Sequence, residues 1–189
     1  MKRKFLAGAV VALGVSLISF STLAYFTYED SATNYITSGN IRIELEEYAL
    51  NEEGQTVPYE QSAGGIGVMP GETVSKIVEV KNTGDNNAYI RVSVDKFINL
   101  ADGTEGTADT GLVTMDFNSS DWTKSGEYYY YNTPVVPGEI TAPLFNKVVF
   151  DGEMGNMYQN SNLRINIDAQ ATQVKNNGTD VFTAAGWPE

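Results

Sequence analysis

The 189-residue chain has no cysteine and no histidine. Without cysteine there is no disulfide, thiol nucleophile or thiolate metal site, so an exported domain must hold together by packing or by assembly. Without histidine, the usual catalytic triad and the His-ligated zinc site are both excluded. HExxH, Gly-x-Ser-x-Gly and a phosphate-cradling glycine loop are absent too. The carboxylate pairs Glu46-Glu47, Glu52-Glu53 and Asp102 with Glu105 sit at strand ends or in polar loops, where solvated charge is the default. The chain therefore reads as a non-enzyme with no cofactor and no transition metal. Basic side chains are also scarce: 12 against 24 acidic, for a net charge of −12. Such a body repels nucleic acid and anionic membrane.

What is present begins with a leader. Residues 1–24 read MKRKFLAGAVVALGVSLISFSTLA, a short basic start and an uncharged apolar run. They end in Thr22-Leu23-Ala24, with small residues at the two positions that a signal peptidase inspects. This pattern predicts a secretory signal peptide cut between Ala24 and Tyr25. A retained membrane anchor is the alternative, because the run is nearly long enough to span. Cleavage removes three cations and leaves 9 basic against 24 acidic residues, a net of −15.

The organising stretch is 162–174, NLRINIDAQATQV. Leu163, Ile165, Ile167, Ala169 and Ala171 alternate with Arg164, Asn166, Asp168, Gln170 and Thr172. A period of two sustained this long marks a strand with one dry and one wet face. It needs neighbours on both edges and a second layer under its apolar side. Partner strands are read at 41–46, 73–82, 88–98, 112–117, around the tyrosines at 128–131, and at 144–150. Residues 73–82 and 88–98, joined by Thr83-Gly84-Asp85-Asn86-Asn87, read as an antiparallel hairpin. Pro70-Gly71-Glu72 and Pro137-Gly138-Glu139 read as matching turns. Residues 48–68 read as a polar connection, 151–161 as holding a helical turn, and 181–185 as a short terminal helix. The total is about eight strands in an all-β, jelly-roll-like antiparallel sandwich. The expected divisions are a signal peptide (1–24), an N-terminal segment (25–37) and one β-sandwich domain (38–189).

Three stretches carry further functional readings. Four consecutive tyrosines, Tyr128 to Tyr131, put two rings on each face of a strand. One pair packs inward with Trp122, and the other stays wet or meets a partner, a sugar included. The acidic loop 99–111, NLADGTEGTADTG, reads either as solvated or as a calcium loop that lacks EF-hand spacing. The segment from Tyr25 to Ile36 has no Pro or Gly and favours strands through Tyr, Phe and Thr. Phe26, Tyr28, Ala32 and Ile36 share one side, broken by Asp30. Freed by processing, it suits a donor strand added to the sheet of a neighbour, with a leader that folds back as the alternative.

The chain resembles the TasA/camelysin-like exported proteins of Gram-positive bacteria, whose leaders are handled by a SipW-type signal peptidase. The resemblance rests on LAYFTYEDSATNYITSGNIRIEL, MPGETVSKIVEVKNTGDNNAYIRVSV and NLRINIDAQATQV, with YYYYNTPVVPGEITAPLF resembling clostridial members. It implies a jelly-roll sandwich, export to the biofilm matrix or cell surface, and assembly with further copies or a related fibre subunit. In fibre-forming members the freed N-terminal segment adds as a strand to the next subunit. Camelysin-like members are labelled metallopeptidases, and this chain has no histidine to ligand zinc. The expected function is a secreted structural fibre subunit. A monomeric surface-binding module and a camelysin-like peptidase are the alternatives.

Overall fold

A computed structural model describes residues 26–34, 41–59 and 66–188. Among these the chain is nearly all β. The strands are β1 (Phe26–Asn34), β2 (Ile43–Leu50), β3 (Thr56–Pro58), β4 (Ile66–Val68), β5 (Thr73–Ser75), β6 (Ile77–Asn82), β7 (Ala88–Asn99), β8 (Val113–Met115), β9 (Trp122–Ser125), β10 (Tyr128–Tyr131), β11 (Lys147–Phe150) and β12 (Asn162–Gln173). Two 3-10 turns, Thr110–Leu112 and Asn156–Tyr158, complete the list, the second within the stretch expected to hold a helical turn.

One layer is a six-stranded sheet in the order β4-β1-β12-β7-β10-β9. The other layer is built from two three-stranded sheets, β3-β2-β6 and β5-β11-β8. Main-chain hydrogen bonds join them. Residues 71–82 run antiparallel to 138–150, through Gly71 N to Phe150 O, Lys76 N to Asn146 O, Leu144 N to Val78 O, and Gly138 N to Asn82 O. The matching Pro-Gly-Glu turns open the two sides of this ladder. Gly71 at φ +83 and Gly138 at φ +84 take the left-handed conformation that a type II turn needs at its third residue. Pairing is antiparallel throughout, except that β1 runs parallel to β12.

The core lies between the layers. Ile90 and Val92 of β7 and Leu163, Ile165, Ile167 and Ala169 of β12 meet Ile43 of β2, Val78 and Val80 of β6, Val113 of β8, and Val148 and Phe150 of β11. Burying such side chains contributes about 1.5–3 kcal/mol each, which is the stabilisation a chain without disulfides depends on. β12 has the expected neighbours and second layer, and its burial alternates from Asn162 to Asp168. Beyond that, Gln170 and Thr172 are buried as well. The cause is the segment 174–188, whose Val181, Ala184 and Trp187 pack with Tyr89 on the outer face of the sheet.

Four expectations are corrected. Residues 73–82 and 88–98 are not a hairpin, because β6 and β7 lie in opposite layers. The connecting bend is held by buried Asn82, whose Nδ2 donates to Asn86 O and Val135 O at 2.8 Å each, while Oδ1 accepts from Gly84 N at 3.0 Å. The 73–82 run is itself divided at Lys76. Residues 48–68 contribute the last three residues of β2 and the short strands β3 and β4, and the described strands number twelve rather than about eight. Residues 181–185 form a turn, not a helix; Asp180 Oδ1 caps the Phe182 amide at 3.0 Å.

Candidate assembly interface

The backbone of the N-terminal segment occupies a slot in the six-stranded sheet. β1 pairs with β12 in parallel from Thr27↔Asn162 to Asn34↔Ala169, and with β4 in antiparallel from Phe26↔Val68 to Tyr28↔Ile66. The other edge of β12 pairs with β7 over all twelve residues. One edge of β12 and one edge of β4 therefore define the slot, and main-chain hydrogen bonds fill it. At about 1 kcal/mol net per bond, a strand paired with β12 along most of its length and with β4 over its first three residues is held by several kcal/mol.

Register gives the slot its specificity. Tyr28 is opposite Leu163, Asp30 opposite Ile165, Ala32 opposite Ile167 and Asn34 opposite Ala169. Those four β12 residues are buried. Phe26 is opposite buried Val68. Phe26, Tyr28 and Ala32 thus occupy one alternating set of positions, with Asp30 interrupting it as the sequence implied. A one-residue slip would exchange this set for Thr27, Glu29, Ser31 and Thr33, so the pattern selects a single register. Ile36 and the leader positions Thr22, Ala24 and Tyr25 lie outside the described residues.

The tyrosine run divides two and two. Tyr129 stacks on Phe117 with centroids 4.3 Å apart, and Tyr131 lies 5.0 Å from Trp122. Trp122 Nε1 donates to Ala142 O at 3.0 Å. The outward rings meet the chain's own C-terminal segment rather than open solvent. Tyr130 lies 5.2 Å from Phe182 and 5.9 Å from Trp187. The Arg91 guanidinium stacks between Tyr128 at 3.9 Å and Trp187 at 4.6 Å, and its Nε donates to Gln170 Oε1 at 2.7 Å. Composition gave no sign of this lock. Its one sequence signal is the alternation that puts Arg91, Tyr128 and Gln170 on outward positions of three strands.

Charge is unevenly placed. Glu46 and Glu79 are directly opposed on β2 and β6. Burial, and then the Glu46 charge, raise the Glu79 carboxyl above its ordinary range. Tyr48 donates to Glu46 Oε2 at 2.5 Å, and that bond, followed by burial, pushes its phenol up to about 12. Lys76 is fully buried, with its ammonium 2.8 Å from Glu47 Oε1 and 4.1 Å from the Tyr59 ring centroid. A buried charge requires such partners. In the acidic loop, Asp109 Oδ1 accepts from Gly111 N at 2.7 Å and caps the 3-10 turn, and Tyr158 Oη accepts from Asp109 N at 3.0 Å. No group of three or more acidic side chains converges as a metal site among the described residues.

Comparison with family models, with curated proteins and with solved structures gives no match.

Proposed function

We propose that the chain is a secreted structural subunit of extracellular, biofilm-matrix fibres that assembles by N-terminal strand addition. The observation that carries this reading is the slot between β12 and β4. It takes a strand whose identity is set by main-chain pairing and an alternating register, the two elements of strand-addition recognition. Within one chain the slot is filled by that chain's own β1; in a fibre, the equivalent segment of the preceding copy takes its place. Removal of the leader by a signal peptidase of the SipW type frees the segment, and the jelly-roll topology belongs to the same proposal. Partners are further copies of the chain or a related fibre subunit, at the cell surface or in the matrix.

Electron microscopy of protein released by the producing cells, with and without residues 25–34, tests the reading. The intact form elongates into fibres. The deleted form stays monomeric, and a synthetic peptide of residues 25–36 binds it one to one. Fibres formed at the normal rate by the deleted protein would refute strand addition.

A further inference from the structure

A cavity of about 280 Å³ opens between the two layers, beside β8 and β10. Val94, Met115, Phe117 and Tyr129 supply its apolar surface, and Lys96 and Lys124 are its only charged lining. The chain as a whole is strongly acidic, with 24 carboxylate side chains against 12 basic ones. Even so, no carboxylate lines this space, and neither lysine makes an ion pair among the described residues. Lys96 Nζ donates to Thr110 O at 2.7 Å and Val113 O at 2.5 Å. These bonds fix the ammonium and use two of its three donors. Lys124, exposed on β9 with β10 between it and β7, holds its ammonium 5.0 Å from the Tyr129 ring centroid.

Two ammoniums beside an apolar floor, with no carboxylate in the lining and no ion pair to either among the described residues, match a ligand with one anionic end and one apolar body. At about 30 Å³ per water, the volume equals roughly nine water molecules, so the body is small. Sites of this kind pair a mainly apolar surface with a few placed polar groups. We propose that this cavity is a binding site for a small aromatic or branched-chain monocarboxylate, its carboxylate between Lys96 and Lys124 and its apolar body against Phe117 and Met115. The carboxylate takes the third Lys96 donor and replaces water around Lys124. Burial lowers the Lys96 ammonium below its usual range, and nearby Asp109 partly offsets that. A bound carboxylate favours the charged form further.

Titration of protein isolated from the producing cells with benzoate, followed by methyl and amide NMR, tests this. Saturable shifts are expected at Val94 and Met115, with the uncharged isostere benzamide at least tenfold weaker. Lys124→Glu places a carboxylate at the mouth and should abolish benzoate binding. Lys124→Gln, an exposed and mild change, should weaken it about tenfold, with the amide spectrum of the remaining chain unchanged. Equal binding of benzoate and benzamide, shifts centred elsewhere, absence of saturation, or undiminished binding by Lys124→Glu would each overturn the proposal.

Discussion

Replacing Arg91 by alanine should loosen the C-terminal segment from the sheet. Its guanidinium donates through Nε to Gln170 Oε1 at 2.7 Å, a charge-assisted bond of about 1.5–3 kcal/mol. It also lies 3.9 Å from the Tyr128 ring centroid and 4.6 Å from that of Trp187. Each stacking contributes about 1 kcal/mol at a half-buried site. The bonds from Nη1 to Tyr130 Oη at 3.4 Å and from Nη2 to Pro188 O at 3.3 Å are long and add little. The expected loss for Arg91→Ala is about 3.5–5 kcal/mol on these contributions. Arg91→Lys keeps the charge but loses the planar fork and should cost about half as much. Trp187→Ala removes the ring on the other side. Because the two residues touch, the pair should be non-additive, with a coupling of about 1 kcal/mol. Urea unfolding of the wild type, both single variants and the double variant gives the cycle. Hydrogen exchange at the Phe182 and Thr183 amides, both held by Asp180, reports the segment locally. Additive losses, or unchanged exchange at those amides in Arg91→Ala, would show that the arginine does not hold the segment down.

Two further outcomes follow from a half-buried carboxyl and a buried amide. The raised Glu79 carboxyl binds its proton more tightly folded than unfolded, so its contribution to stability is present in acid and is lost as pH rises through its folded pKa. Glu79→Gln removes that loss, and a melting temperature that does not gain on the wild type between about pH 4 and pH 8 would contradict the assignment. Asn82→Ala removes the side-chain partner of the Asn86 carbonyl and the Gly84 amide, and one of the two donors to Val135 O, and should cost about 2–4 kcal/mol in denaturant unfolding, whereas a loss below about 0.5 kcal/mol would mean that the bend does not depend on this side chain.

Some of this structure was legible and some was not, for identifiable reasons. The alternation of Leu163, Ile165, Ile167 and Ala169 located the central strand, because period-two burial is a local signal. The same reasoning divided the tyrosines correctly. It failed at Gln170 and Thr172, which look wet by pattern but are covered by residues far along the chain. The bend at 83–87 has the composition of a hairpin turn. Nothing local distinguishes a chain that returns beside itself from one that crosses to the other layer; the difference is the hydrogen bonding of buried Asn82. Lys76 takes an alternate position among Val74, Val78 and Val80, and partners outside its strand, among them Glu47 of β2 and the Tyr59 ring just after β3, make it a core residue. The N-terminal segment showed strand composition, but its parallel partner and the short strand β4 depend on tertiary placement.

The pairing of β1 with β12 joins the first of the described strands to the last. Such a closure has a high contact order and forms slowly, because loop entropy must be lost before the pairing is gained. A chain emerging N-terminus first makes β1 early, yet the edge that receives it is made only when nearly all the rest has emerged. In that interval β1 is an unpaired extended strand, and any completed edge of the same shape competes for it. The chain's own slot is present at a fixed effective concentration, while slots on other copies grow in number with protein concentration. On the proposed reading, the ratio of closed monomer to growing fibre is set by kinetics and crowding at the site of release as well as by the strength of the pairing.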